Sequence, residues 1–504
     1  KNSEIYIDKT ELLKFLNKKL GTNGKCIAVS HARRFGKSHA AGMIDAYYSL
    51  GSDSSKLFEN TKIASDPDYE KYRNKYNVIH LDISSVWDYH KEDLIESIEE
   101  RVCEDFQKIY GDSLNYKRDF YLLIQDIYSL TEIPFVIIID EWDCVIRNSH
   151  DQALVHKYLQ FLHSLFKSEE SKSFLALGYI TGILPIKKIK DESALNNFQE
   201  YTMLDSYPIT EYYGFTEKEV KDLCKDYSMD FETVKAWYNG YLIDGEHMYN
   251  PNSVSQALER HKIDSYWRNT SAFDTINTFI TMNYAGLKDD VMKMLTGGKV
   301  RINTNTFQND FSIITSKDDA LTALIHLGYL GYDADRKKSF IPNYEVATAF
   351  ELALQTGSWK EIAESISKCD ELLDETIDGN AERVAELIEL AHETYTSILK
   401  YNDENALSCV LTMAYFTAPA YYNVIREMPS GKGFADFVFL PRANAGNRPA
   451  MIIELKYNQS AETALKQIKE KRYQGALSGY QGKILLVGIN YDSEKHHTCM
   501  IEEL

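Results

Sequence analysis

Cys26 to Ser38 reads CIAVSHARRFGKS, and the parsing of this stretch decides the fold. The apolar run Cys26-Ile27-Ala28-Val29 predicts a short buried strand. Polar and small residues follow, then Gly36-Lys37-Ser38, and His39 to Leu50 reads as a helix. Strand, tight loop, Gly-Lys-Ser and helix, in that order, build a phosphate-binding loop. Backbone N–H groups and the helix N-terminus face the anion, Lys37 reaches the β- and γ-phosphates, and Ser38 ligates Mg2+. The full pattern places a glycine five residues before Gly36, where this chain has His31. Arg33 and Arg34, inside the same loop, either supplement its positive charge or are simply solvated. Gly-Lys-Ser alone commonly does no more than start a helix, so the rest of the chain has to decide.

Working outward, Asn77 to Ile83 (NVIHLDI) predicts a second strand, with helices at about 91–110 and 117–130. Phe135 to Asp140 (FVIIID) is a near-continuous β-branched run, as expected of a central parallel strand covered on both faces. Residues 151–168 read as helix, Phe174 to Thr181 (FLALGYIT) as another buried strand, and Tyr201 to Leu204 as a candidate last one. Strands alternating with helices predict an α/β domain with a parallel sheet over residues 1–206. Asp140-Glu141 ends the FVIIID strand at its carboxyl edge, where ligands sit in open α/β sheets. Asp140 there can hold Mg2+ through water, and Glu141 can polarise an attacking water. A buried strand also stops at a charged residue merely on reaching solvent. Pairing with Gly36-Lys37-Ser38 about a hundred residues upstream favours a nucleotide site. Thr181, at the end of the next strand, is a weaker candidate for sensing the γ-phosphate.

Residues 207–285 read as short helices, with a capping box at Thr216-Glu217-Lys218-Glu219. An aromatic stretch follows, Trp237-Tyr238-Asn239-Gly240-Tyr241, and Tyr249-Asn250-Pro251-Asn252-Ser253 begins another helix. These aromatics suit the packing of a small helical or winged-helix domain better than a base-stacking platform. Residues 286–380 read as a mainly helical connector. A last domain, 381–504, opens with an amphipathic helix through Val384, Leu387, Ile388, Ala391, Tyr395 and Ile398.

Length allows two to four domains with a sizeable core. At 44% hydrophobic and 26% charged, the composition is that of an ordinary soluble globular protein. No apolar run approaches the ~20 residues of a membrane span, and no signal-peptide pattern opens the chain. The opening Lys1 points to a trimmed or processed start. Seven cysteines, scattered singly, suit a reducing cytoplasm rather than disulfides or a zinc site. The net charge of −19 argues against constitutive, nonspecific coating of nucleic acid. Residues 401–504 carry 11 Lys and Arg against 11 Asp and Glu, so the whole acidic excess lies upstream. The tail is electrostatically the part least unsuited to touch nucleic acid.

That tail carries a second constellation. Gly431 to Leu440 (GKGFADFVFL), a turn rich in Pro, Asn and Gly, and Ala450 to Tyr457 (AMIIELKY) predict a β-hairpin. Residues two apart on a strand share a face, so Glu454 and Lys456 point together while Leu455 enters the core. With Asp436 beside Glu454 on the partner strand, two carboxylates and an ammonium converge. Such a cluster can bind one or two Mg2+ ions, lower the pKa of a bound water and stabilise charge developing on a phosphate. Gln467, on the next helix among Ala464, Leu465 and Ile468, can border the same site. Glu-X-Lys on a strand is otherwise most often a solvated face.

Taken together, the chain resembles a bacterial family with an AAA-ATPase-like N-terminal domain and a C-terminal PD-(D/E)XK nuclease domain. The resemblance runs through Tyr6-Ile7-Asp8-Lys9-Thr10, Arg33 to Ser38, Ile139 to Asp143, and Thr181-Gly182-Ile183. It continues in Tyr213-Gly214-Phe215-Thr216 with Glu219, Trp237 to Tyr241, Tyr249-Asn250-Pro251 with Ser253, and Ile341-Pro342-Asn343 with Glu345-Val346. In the tail it includes Gly431 to Asp436, Ile453 to Lys456, and Gln467-Ile468-Lys469 with Tyr473. The resemblance implies an ATPase of the additional-strand P-loop class joined to a Mg2+-dependent phosphodiesterase fold. It casts Lys37 and Ser38 as phosphate and Mg2+ contacts and Asp140 and Glu141 as the second acidic motif. Asp436 and Glu454 become metal ligands, Lys456 positions water or stabilises charge, and Gln467 supports the site. Two positions depart from the family: His31-Ala32 stands where Arg-Pro is usual, and Phe434 where many relatives place Arg, with Lys432 as a substitute.

The expectation is therefore an ATP-binding and ATP-hydrolysing cytoplasmic protein whose Mg2+-dependent nuclease domain cleaves DNA or RNA under nucleotide control, with no membrane partner. Relatives of the AAA type make a homo-oligomer the state to look for. Two alternatives stand beside it: a nucleotide-driven signalling or nucleic-acid-binding switch with a non-catalytic tail, and an ATP-binding scaffold without hydrolysis.

Overall fold

The computed structural model describes residues 4–111, 114, 116, 119–149, 151–169, 171–186, 195–267, 271–282, 284–295, 297–308, 314–356, 368–399, 410–430, 433–442, 445–471, 477, 480, 482–493 and 496–504. Gly431, Lys432 and Tyr473 of the tail motifs lie outside the described residues, as do the side chains of Tyr395 and Ile398. The chain forms two compact units. One comprises Lys1–Tyr227, Asn239–Lys262 and Arg301–Ser339, the other Ser228–Tyr238, Ile263–Val300 and Phe340–Leu504.

The first unit is built on five strands: Cys26–Ser30 (β1), Asn77–Asp82 (β2), Phe135–Asp140 (β3), Leu175–Gly182 (β4) and Gln199–Thr202 (β5). All neighbours run parallel in the order β2–β3–β4–β1–β5. β4 thus separates the strand that leads into Gly-Lys-Ser from the strand that ends in Asp140, the additional-strand arrangement. Alternation along each strand feeds two cores. Ile27, Val29, Val136 and Ile138 pack with Ala40, Ala41 and Ile44 of the helix Lys37–Tyr48. Cys26, Ala28, Ile137 and Ile139 pack with Leu123 and Leu162 of the helices Phe120–Thr131 and Gln152–Phe166. Two covered faces explain why β1, β3 and β4 are buried at every position.

Two boundaries differ from expectation. The helix after the loop begins at Lys37 rather than His39, because the Ala40 N–H already donates to the Gly36 carbonyl. The last strand ends at Thr202 because Thr202 and Asp205 pair through their backbones (2.7 and 3.3 Å), turning the chain at Met203 and Leu204.

In the same unit Phe215–Thr216 (β6), Tyr241–Ile243 (β7) and Glu246–Tyr249 (β8) form a small antiparallel sheet of order β6–β8–β7. Thr216 and Glu219 form the capping box of the helix Glu217–Asp226. Asn250 caps the helix Pro251–Glu259, accepting from the amides of Asn252 (3.0 Å) and Ser253 (3.4 Å). Tyr241 and Tyr249 are buried as core here, and Trp237 and Tyr238 are buried in the second unit.

The second unit holds a sheet of Tyr422–Ser430 (β9), Gly433–Pro441 (β10), Ala450–Tyr457 (β11), Ile484–Tyr491 (β12) and His497–Glu503 (β13), in that spatial order. Neighbours are antiparallel except β11 and β12, which are parallel. The helix Ala461–Glu470 covers the face that carries Val438, Ala450, Ile452 and Leu486. Glu454 lies on this face, in register with Gly488 of β12. A Cβ at 488 would stand 2.4 Å from the Ala461 carbonyl oxygen and 3.1 Å from Ala464 and Leu465, so the helix approaches the sheet only over glycine. Among the described residues, no helix is long and apolar enough to cross a membrane.

Gly488→Ala is accordingly expected to lower stability by roughly 1–3 kcal/mol, the usual cost of overpacking. Urea unfolding of the purified chain measures it, and an unchanged midpoint contradicts the close approach.

Candidate functional site

The site residues expected from the sequence fall in two places, one in each unit. In the first, the chain leaves β1 through His31 to Gly36 and enters the helix at Lys37. The left-handed residues of this loop are Arg34 (φ 68°) and Gly36 (φ 88°). His31 is not among them, so the absent glycine costs no backbone strain at that position. The His31 ring is buried, with Nε2 2.9 Å from Ser206 Oγ, and burial, followed by the charge of Lys37, pulls its pKa down to about 3. A neutral imidazole therefore fills the base of the loop.

Lys37 turns inward, and Nζ donates to the carbonyls of His31 and Ala32, both at 2.8 Å. Burial lowers its pKa to about 8, opposed by Asp143, Glu141 and Asp140 in decreasing order. Ser38 is exposed on the first helical turn, and the side chains of Arg33 and Arg34 are exposed. At the carboxyl end of β3, Asp140 Oδ1 accepts from the Glu141 amide (3.0 Å) and from the Thr181 hydroxyl of neighbouring β4. Lys37, Asp140, Glu141 and Thr181 are thus gathered at one end of the sheet by strand order alone.

Two further residues complete this cluster. Asp143 Oδ2 accepts from the amides of Ile183 (3.1 Å) and Leu184 (2.9 Å) and from Arg147 Nε (2.9 Å). Arg147 Nη2 reaches Glu141 Oε2 at 3.2 Å. Asp143 closes the motif Ile139-Asp140-Glu141-Trp142-Asp143. Its role as hub was invisible in sequence because its partners lie about forty residues away.

In the second unit the ladder between β10 and β11 ends at Phe437 opposite Ile453. One residue on, Asp436 Oδ2 takes the Leu455 amide at 2.7 Å in place of a backbone carbonyl. Glu454 is 2% exposed, and Oε1 accepts from Lys456 Nζ (3.0 Å) and from Gln467 Nε2. Lys456 Nζ also donates to the Leu455 carbonyl at 2.9 Å. Burial, and then the charge of Asp436, raise the pKa of Glu454, with Lys456 opposing. Asp436, Glu454, Lys456 and Gln467 therefore meet at one point. The side chain of Phe434 lies outside the described residues.

Glu454 Oε2 is buried and, among the described residues, has no hydrogen-bond partner. An unsatisfied buried carboxylate oxygen is costly, and a cation beside Asp436 would answer it. Among the described residues no three His, Cys, Asp or Glu side chains converge as a closed metal cage. Two carboxylates with open positions suit Mg2+, which binds through one or two carboxylates and keeps several waters.

Residues 1–190 match the family model described as a predicted AAA-ATPase, and residues 402–501 match that of the PD-(D/E)XK nuclease superfamily. Each match covers one region of the chain, the first its N-terminal part and the second its C-terminal part. A protein of Azotobacter chroococcum mcd 1, described as an uncharacterized protein in the vnfD 5' region, is 23% identical over 274 residues, 53% of this chain and 50% of that protein. The chain thus spans about half the length of this curated relative. The Aeropyrum pernix ORC2 protein, solved as ADPNP–ADP complexes, aligns at 9% identity and a TM-score of 0.34, covering 70% of this chain and 95% of its own. The ORC1 protein of the same organism, solved with DNA, aligns at 13% and 0.28, covering 70% and 93%.

Replacing Glu454 by Gln removes a buried charge beside Asp436 while keeping an acceptor for Lys456 and Gln467. Glu454→Gln is expected to melt higher than wild type at neutral pH without metal, and to lose Mn2+-induced stabilisation. Because a raised carboxyl pKa means that the folded state holds the proton more tightly, wild type recovers stability as pH falls through that value. The difference between the two proteins then shrinks. Thermal melts across pH, with and without Mn2+, read both effects.

Proposed function

We propose that the chain binds and hydrolyses ATP at residues 31–38 and 140–141, and that the bound state controls a Mg2+-dependent nuclease built from Asp436, Glu454, Lys456 and Gln467. The observation that carries the nuclease reading is the buried Glu454 Oε2 beside Asp436, unsatisfied among the described residues. The similarity of residues 1–190 to a predicted AAA-ATPase model and of residues 402–501 to the PD-(D/E)XK nuclease superfamily supports the pairing of activities.

At the tail, a divalent ion held by Asp436 and Glu454 would supply a water of lowered pKa and offset charge building on the phosphate. Lys456 and Gln467 fix Glu454 Oε1, which directs Oε2 toward the ion. The Leu455 amide orients Asp436 in the same way. The Lys456 ammonium, beside Glu454, could stabilise charge on a phosphate oxygen or orient a water. At the loop, Lys37 exchanges the neutral carbonyls of His31 and Ala32 for anionic acceptors, a stronger interaction for an ammonium out of water. Ser38 on the first turn and Asp140 at the strand end are the residues for the accompanying Mg2+, and Glu141 for polarising water. With a near-neutral tail and all the excess acidity upstream, access of nucleic acid to the tail is the step that nucleotide-dependent rearrangement would govern.

The ion pair between Arg147 and Glu141 favours a second reading, binding without turnover, since the carboxylate that would polarise water is already engaged by a guanidinium. Steady-state ATP turnover, with and without nucleic acid, separates the two.

A Mg2+-dependent cleavage assay on DNA and RNA, with and without ATP, tests the proposal. Glu454→Ala is expected to lose about 100-fold or more in cleavage. Lys37→Ala is expected to lose the response to ATP. Unchanged cleavage and ATP response in both variants reject it.

A further inference from the structure

Three motifs quoted from the sequence serve neither charged site: Tyr213-Gly214-Phe215-Thr216, Asn239-Gly240-Tyr241 and Tyr249-Asn250-Pro251. In the first unit all three close on the phosphate loop. The Gly214 N–H donates to the Phe35 carbonyl at 3.0 Å. The Phe35 ring meets Tyr241 edge to face, centroids 5.1 Å apart and planes at 89°. Asn250 Nδ2 donates to the Arg33 carbonyl at 3.4 Å while its Oδ1 caps the next helix. His31 is held at Ser206, whose amide donates to Asp244 Oδ2 at 3.0 Å, and Thr210 Oγ1 joins the same oxygen at 2.6 Å. Every second residue of the loop, 31, 33 and 35, is therefore fastened to the stretches 206–216 and 241–250 of the same unit.

The loop carbonyls are shared between two sides. Lys37 takes those of His31 and Ala32 from within, and Asn250 and Gly214 take those of Arg33 and Phe35 from without. A loop that turns its N–H groups toward an anion must turn carbonyls away from it, so the outer donors support the anion-binding form. Position 214 has to be glycine. Its φ is +85°, and a Cβ there would lie 3.0 Å from the Phe35 ring and 3.1 Å from the Tyr249 carbonyl oxygen. From Tyr241 the connection continues, its hydroxyl donating to the Gly328 carbonyl at 2.9 Å, where the helix Lys317–Leu327 ends.

We infer that Phe35, Gly214, Tyr241 and Asn250 form a clamp that reports nucleotide occupancy of the loop to the stretches 206–216 and 241–250 and, through Tyr241, to the end of the helix Lys317–Leu327. This inference rests on the reading that residues 31–38 bind a nucleotide and names how that site is regulated. Lys37 leaves the His31 and Ala32 carbonyls when a triphosphate replaces them, the loop shifts against its two outer donors, and the stretches that carry those donors respond. Coupling of this kind is reciprocal. A change in the clamp must alter nucleotide affinity, and nucleotide must alter the clamp.

The test is hydrogen exchange on the full chain with and without Mg2+-ATP, beside titrations of ATP affinity. In wild type, ATP is expected to slow exchange at 212–216, 241–250 and 328–330 as well as at the loop, and Lys37→Ala to abolish both binding and protection. Gly214→Ala, with unchanged circular dichroism, is expected to weaken ATP by about 5- to 100-fold. Tyr241→Phe keeps the ring contact and loses only the hydroxyl. It is expected to shift ATP affinity less than Gly214→Ala does, and to lose protection at 328–330. Should Gly214→Ala fail to fold, the wild-type and Tyr241→Phe exchange patterns decide alone. Protection confined to the loop, with Lys37→Ala still abolishing binding, overturns the clamp and leaves the nucleotide site standing. ATP binding that survives Lys37→Ala unchanged overturns both.

Discussion

A charge taken out of water must find a partner where it sits, and this constraint shapes both ends of the chain. Lys37, at the start of a helix, and Glu454, within β11, are both buried, so neither can be solvated without opening its surroundings. The ammonium of Lys37 folds back on loop carbonyls, within the field of three carboxylates. The carboxylate of Glu454 keeps one oxygen paired to Lys456 and Gln467 and leaves the other with no partner among the described residues. Apolar sheets create these positions, and the cost of burying charge there makes them receptive to an ion of opposite sign.

Strand order does the assembling. In the first unit, the insertion of β4 between β1 and β3 places Thr181 beside Asp140 and sets both at the sheet end reached by Lys37. In the second, parallel pairing of β11 with β12 puts Gly488 next to Glu454. The absent side chain lets the helix Ala461–Glu470 come down far enough for Gln467 to reach the carboxylate. The ladder between β10 and β11 stops one residue short of Asp436, and the side chain completes what the backbone no longer does. Each site is thus a place where regular structure ends and a side chain takes over its hydrogen bonds.

The loop tolerates His31 for a related reason. Its left-handed turns fall at Arg34 and Gly36, and the imidazole is neutral, buried and held by Ser206. A larger side chain at the base of the loop is affordable because the stretches 206–216 and 241–250 pack around it. The departure from the glycine pattern and the fastening of the loop to those stretches belong together.

Sequence alone determined the parts governed by periodicity and local chemistry. The continuous apolar strand Phe135–Asp140, the Gly-Lys-Ser helix start, the capping box at Thr216 and the shared face of Glu454 and Lys456 follow from side-chain alternation and backbone donors within a few residues. Boundaries were less legible: Thr202 ends its strand because of a turn with Asp205, and Lys37 enters the helix because Gly36 supplies its first acceptor. Only the tertiary structure decided what depends on residues far apart in the chain. Asp143 reaches the amides of Ile183 and Leu184, Asp436 takes the Leu455 amide, Gln467 meets Glu454 over Gly488, and Gly214 holds the Phe35 carbonyl. The physical reason is that local patterns specify which face of an element is apolar, whereas strand order and close approach specify which polar groups are left to find one another.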